Sequence, residues 1–113
     1  MSICIDSRKS RLSRDYAGLS GRAIRPIALR IVHQVASSLE IPIIGTGGIY
    51  ETTDALEFFI AGASAVSLGT VNFVHPNRVK DICLGILEYL DRKNLTLNRL
   101  ISSYEGPHAC QTF

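Results

Sequence analysis

Two short runs of small residues carry the chemistry that this chain can argue from spacing. Pro42-Ile43-Ile44-Gly45-Thr46-Gly47-Gly48-Ile49 reads as a buried strand running into a glycine turn, and Ala65-Val66-Ser67-Leu68-Gly69-Thr70 repeats the idea in weaker form. Each run puts small residues at the C-terminal end of a predicted parallel strand, where α/β sheets and barrels keep their ligands. Glycine lets a backbone N–H come close to an anion because no Cβ stands in the way. Gly47 and Gly48 supply two consecutive N–H groups at a helix start, Gly69 and Thr70 supply two more, and Thr70 adds a hydroxyl. Several small donors meeting from two turns suit a phosphate. Glycine-rich turns also occur without any ligand, and the pattern alone leaves that reading open.

Other chemistries find no support. There is no Ser/His/Asp spacing and no paired-carboxylate motif, so no catalytic residue is assigned. His33, His75 and His108 are isolated in sequence, and His33 reads as a rim or structural residue. Cys4, Cys83 and Cys110 are too far apart for a CxxC or Cys/His metal site, so no metal is expected. Cys83, set among apolar neighbours, reads as a small core residue.

The formal net charge of +2 gives no reason to expect a nucleic-acid or membrane partner. Arg8, Lys9, Arg11 and Arg14 read as a solvated loop. An odd, scattered set of cysteines suits a reduced, cytoplasmic protein. The first residues lack the apolar core of a signal peptide, and no apolar run approaches a membrane span.

The elements that must position the turns follow from periodicity. Residues 2–13 suggest a short hairpin, with Ile3 and Ile5 in one arm and Leu12 in the other. A loop with Gly18 and Gly21 leads to a helix with Pro26 in its first turn. Ile27, Ala28, Ile31, Val32, Val35, Ala36 and Leu39 make one apolar face of that helix. A strand is predicted to begin at Ile41-Pro42-Ile43-Ile44. The next helix opens at Glu51-Thr52-Thr53-Asp54, with Thr52 or Thr53 as its cap, buries Leu56, Phe59 and Ile60, and stops at Gly62. The second strand is Ala65–Leu68, and residues 71–77 read as a loop or short turn. A last main helix carries Val79, Ile82, Cys83, Ile86, Leu87 and Leu90 on its apolar stripe, and Asn77 or a neighbour can cap it. Residues 95–104 suit one more short helix. Alternating strands and helices mean a parallel α/β arrangement. Two parallel strands do not make a covered sheet alone, so the pattern asks for further strands.

At this point the motifs resemble one family. Ala17-Gly18-Leu19-Ser20-Gly21, followed by Ala23-Ile24 and Pro26-Ile27-Ala28, resembles the GGLSG…AI.PIA segment of dihydroorotate dehydrogenases. Pro42–Ile49 is similar to their PIIGxGGI, Leu56–Val66 to their LEF…AGASAV junction, and Gly69–Phe73 to their GTANF. Ile5-Asp6, Arg8-Lys9 and Leu12 are similar to the hairpin before GGLSG. The likeness covers residues 3–90 and favours the class 1 enzymes, particularly the NAD-linked kind. It implies a fold: α/β, the C-terminal part of a (β/α)8 TIM barrel, comprising the last two βα units with a preceding hairpin and helix. Residues 1–113 would form one partial barrel domain, with 91–113 as a C-terminal tail.

The resemblance also implies FMN as cofactor and the oxidation of dihydroorotate to orotate in pyrimidine biosynthesis. It assigns Gly21 to close approach of the FMN, and Gly47 with Gly48, and Gly69 with Thr70, to its phosphate. Partners implied are dihydroorotate and orotate, an iron–sulfur flavoprotein electron-transfer subunit, and an oligomeric assembly. The family's catalytic base, its flavin-side lysine and its orotate-binding asparagines lie upstream of the matching segment, so none is carried onto this sequence. Cys4 is not at the family's catalytic cysteine. Ala17 departs from the first glycine of GGLSG. Two other readings stand beside this one: a non-catalytic truncated or split gene product, and a fragment of a related FMN barrel such as dihydropyrimidine dehydrogenase.

Overall fold

The computed structural model describes residues 1–106. His108 and Cys110 lie outside them.

The N-terminal hairpin is held by one antiparallel bridge, Ile3 to Ser10. Its hydrogen bonds run from Cys4 N–H to the Lys9 carbonyl and from Arg11 N–H to the Ser2 carbonyl, each 2.9 Å. The basic residues around it are exposed, as a solvated loop requires. A 3-10 turn, Arg22–Ile24, leads into α1, Arg25–Ser38, with Pro26 in the first turn. Then come β1, Ile44–Thr46; α2, Thr52–Ile60; β2, Ala65–Ser67; the short α3, Val71–Val74; α4, Arg78–Lys93; and α5, Leu97–Leu100.

β1 and β2 pair in parallel with Ile44 opposite Ala65, Gly45 opposite Val66 and Thr46 opposite Ser67. Alternation turns Gly45 toward the helices, where a Cβ would overlap the Phe58 ring and crowd Ala63. Phe58 is fully buried and anchors the core with Val32, Ile49, Ala55, Ala63 and Ile82. Leu56, Phe59, Leu90 and Leu100 form a second cluster under α5. Helices cover one face of the sheet. The opposite face carries Ile44, which is 68% exposed.

Helix ends show why the chain turns where it does. α2 stops at Gly62 through paired bonds, Ala63 N–H to the Phe58 carbonyl and Gly62 N–H to the Phe59 carbonyl. This is the geometry that a glycine of positive φ permits. α4 ends the same way at Asn94, a residue able to adopt the left-handed conformation, with Leu95 N–H reaching the Leu90 carbonyl.

Several expectations need correction. The first strand begins at Ile44, not Ile41, because Pro42 offers no N–H to a ladder. The cap of α2 is Glu51 rather than Thr52 or Thr53. Its carboxylate takes the N3 amide while Asp54 takes the Glu51 amide, a reciprocal pair that satisfies two free donors at once. Residues 71–74 are helical rather than loop. Asn77 stands before α4 but makes no side-chain cap bond. Cys83 is exposed, not core. The buried row of α4 is Ile82, Ile86 and Leu90, and Cys83 and Leu87 stand on the next row outward. His33 is half-buried and packs edge-on against Tyr104, ring centroids 5.0 Å apart, a structural role as expected.

Candidate functional site

The end of β1 and the end of β2 lie side by side because the strands are parallel and in register. Both turns therefore open on one cleft of about 220 Å³. Gly21, Gly47, Gly48, Gly69 and Thr70 all line it, so the structure brings the five sequence-predicted residues together. Ser20, Thr46, Ser67 and Tyr50 line it too, and sequence reasoning missed them. Thr46 was visible inside the first motif. Its hydroxyl donates to the Ser67 carbonyl at 3.1 Å and ties the two strand ends together.

Among the described residues, no turn or side-chain hydrogen bond takes the N–H groups of Gly48, Gly69 and Thr70, while the Gly47 N–H follows Thr46 in the ladder and is directed at Ser67. Unpaired donors gathered around a concave surface are what an anion needs. No carboxylate lines the cleft. Glu51, the nearest acid in sequence, is drawn off by Arg22, whose Nη2 lies 2.7 Å from Glu51 Oε1. That pairing raises the Arg22 pKa and keeps it charged. The same guanidinium lies 5.0 Å from the centre of the Tyr50 ring.

The glycines differ in why they are glycine. Gly48 has φ 73°, and a Cβ there would meet Arg25 N at 2.8 Å and the Gly21 carbonyl at 2.9 Å. Only a residue without a side chain lets this turn sit on the start of α1. Gly69 has no positive φ, and a Cβ there would meet no atom within 4 Å. Its smallness serves the open space of the cleft rather than the backbone.

α2 does not reach the cleft with its first residues, although the sequence set Gly47 and Gly48 at a helix start. It starts four residues after Gly48 and is closed by Glu51 and Asp54. The N–H groups at the cleft are those of the turns. Asp54 is buried, and no spacing argument singled it out beyond its place in the first helical turn. Among the described residues, no group of three or more His, Cys, Asp or Glu could hold a metal.

A parallel β/α unit with a cleft at its strand ends has the layout of a piece of an α/β barrel. The family model described as dihydroorotate dehydrogenase matches residues 1–90. The catalytic subunit of dihydroorotate dehydrogenase B (NAD(+)) from Caldicellulosiruptor bescii is 48% identical over 104 residues, covering 91% of this chain and 35% of that protein. The same subunit from Thermoanaerobacter sp. (strain X514) is 49% identical over 104 residues, covering 91% and 34%. A ligand-free dihydroorotate dehydrogenase from Eimeria tenella superposes with a TM-score of 0.74 at 25% identity, covering 90% of this chain and 30% of that one. The chain belongs to the dihydroorotate dehydrogenase family, and its fold is part of a TIM barrel. It spans about a third of the length of the curated relatives it matches.

Proposed function

We propose that this chain forms the FMN-phosphate-binding portion of a dihydroorotate dehydrogenase. In the complete barrel the enzyme would oxidise dihydroorotate to orotate in the synthesis of UMP. The observation that carries this reading is the cleft in which the turns after two adjacent strands stand together, with the N–H groups of Gly48, Gly69 and Thr70 outside every turn and side-chain bond. The residues fit a phosphate: they are small, they carry donors, and the lining holds no opposing carboxylate. When bound, FMN would accept the hydride from the substrate and pass electrons on. The part played by this chain is to hold and orient. Gly47, Gly48, Gly69 and Thr70 would bind the phosphate oxygens, Gly21 would allow the flavin to approach closely, and the Thr70 hydroxyl would add a donor.

Residues 1–113 act as one partial barrel, with 91–113 as its tail. The relatives are named catalytic subunits of the NAD(+)-linked enzyme, which favours an iron–sulfur flavoprotein subunit as electron acceptor over the dihydropyrimidine dehydrogenase alternative. The remaining partners are dihydroorotate and orotate, bound through residues beyond this chain, within an oligomer in the cytoplasm. No helix among the described residues is long and apolar enough to cross a membrane.

The test is a chimera in which this chain replaces the matching third of the Caldicellulosiruptor bescii subunit. The expected result is a flavin-containing, active enzyme that loses FMN at least tenfold more readily when Gly48→Asp is introduced, since a charge-assisted bond is worth roughly that much. A Gly48→Asp chimera that keeps its FMN affinity would contradict the assignment.

A further inference from the structure

The Gly47-Gly48 turn has no regular element of its own to fix it, yet its donors must be aimed. A closed ring of contacts does this from behind. Asp54 Oδ2 accepts the N–H groups of Tyr50 at 2.9 Å and Glu51 at 3.0 Å, the residues that follow the turn. Asp54 Oδ1 lies 2.7 Å from Arg25 Nη1. The backbone nitrogen of Arg25, in turn, sits where a side chain on Gly48 would have to go, 2.8 Å from the position of a Cβ. The ring thus runs from the turn through Asp54 and Arg25 back to the turn. Asp54 is 6% exposed, so its end of the ring is shielded from water, where charge-assisted hydrogen bonds hold geometry most firmly, while the Arg25 side chain is half-buried.

From this ring we infer that Asp54 and Arg25 are positioning residues for the anion site. They lock the start of α1 to the start of α2 and so hold the Gly47 and Gly48 N–H groups in binding geometry. Neither side chain is needed in the cleft itself. Glu57 supplies an internal control: it lies 2.7 Å from the same Arg25 Nη1, is largely exposed, and has no bond to the turn. The inference rests on the proposal that the cleft takes the phosphate of FMN.

The test compares FMN with riboflavin, which lacks the phosphate, by flavin-fluorescence titration of the full 113-residue chain. The ratio of the two affinities reports the phosphate site alone, which a general loss of stability would not move selectively. Amide exchange at Tyr50 and Glu51 reports the ring without any ligand. The expected result is that Asp54→Asn and Arg25→Met each lower the FMN-to-riboflavin ratio about tenfold while Glu57→Gln changes it less than about twofold. Arg25→Met keeps the Asp54 cap and the apolar stem, so it remains informative where Asp54→Asn folds poorly. Faster amide exchange at Tyr50 and Glu51 should accompany the fall in both variants. An unchanged ratio in folded Arg25→Met and Asp54→Asn chains overturns the positioning role and leaves the site assignment standing. Equal affinity of the unaltered chain for FMN and riboflavin overturns the site assignment, and the positioning role with it.

Discussion

Gly48 and Gly69 look alike in sequence but should behave oppositely when changed. Gly48→Ala places a Cβ against backbone atoms of Arg25 and Gly21 at a positive φ. It should destabilise the fold by about 1–3 kcal/mol, measured by denaturant unfolding. Gly69→Ala enters open space at an ordinary φ. Its stability should stay within about 0.5 kcal/mol, while its affinity for FMN falls because the new methyl crowds the cleft. Equal stability losses in the two variants would contradict the distinction. A pH effect belongs at this scale as well. The Ser7 hydroxyl, then the Ser7 and Asp6 amides, favour the Cys4 thiolate and lower its pKa. The folded chain therefore holds this thiolate at lower pH than an unfolded one does. Alkylation of Cys4, followed by peptide mass spectrometry across pH, should begin below the range of a free cysteine, and Ser7→Ala should move it up. By linkage the folded state is favoured once pH exceeds the unfolded thiol's range, and that contribution is lost as pH falls through the folded one. Gly47, Gly48, Gly69 and Thr70 could be grouped from the sequence because small residues mark the two strand ends, whereas Gly21 came only with the family resemblance. The pairing of Asp54 with Arg25 could not be read there: an ion pair between residues 29 positions apart leaves no local pattern.

At the scale of elements, α2 and α4 cross where Gly85 meets Thr52. A Cβ at Gly85 would overlap the Thr52 hydroxyl, so Gly85→Ala must push the helices apart. It should cost about 1–3 kcal/mol in unfolding, and Thr52→Ala should recover part of that in the double variant. Strict additivity of the two changes would rule out the contact as the cause. The order of helices and strands was legible because turn residues punctuate it: Pro26, Pro42 and Gly62 stand at or beside element ends. The phase of α4 was not. A period of 3.6 residues places Ile82 and Cys83 on adjoining rows, and only the position of α2 decides which row is buried. The extra start given to β1 has a related origin, since apolar residues beside a proline read as strand whether or not a ladder reaches them.

For the whole molecule, the apolar face predicted on α1 is real but only partly covered. Val32 is buried, whereas Ile27 is 57% and Ile31 53% exposed. With Ile43 and Ile44 they line a groove of about 350 Å³ beside the outer edge of β1. Each strand has one free edge, and a parallel sheet is covered on both faces in a finished domain. The radius of gyration, 17.2 Å, exceeds the roughly 13 Å of a compact domain of this length. Both observations fit a segment that spans about a third of its relatives. Taken alone at micromolar concentration, the chain should self-associate and bind a hydrophobic dye, and Ile27→Lys with Ile31→Lys should reduce both. A dye-silent monomer by light scattering would contradict that expectation. The sequence made the need for further strands legible, since two parallel strands cannot cover each other, but not which surfaces would stay open.

The central claim is that two strand ends hold one phosphate through the amides of Gly47, Gly48, Gly69 and Thr70. The most direct test is the amide proton–nitrogen NMR spectrum of these four residues in the full chain, recorded with FMN and with riboflavin. FMN should shift all four resonances and riboflavin should leave them in place. Four unmoved amides in the presence of bound FMN, or equal shifts with riboflavin, would contradict the account.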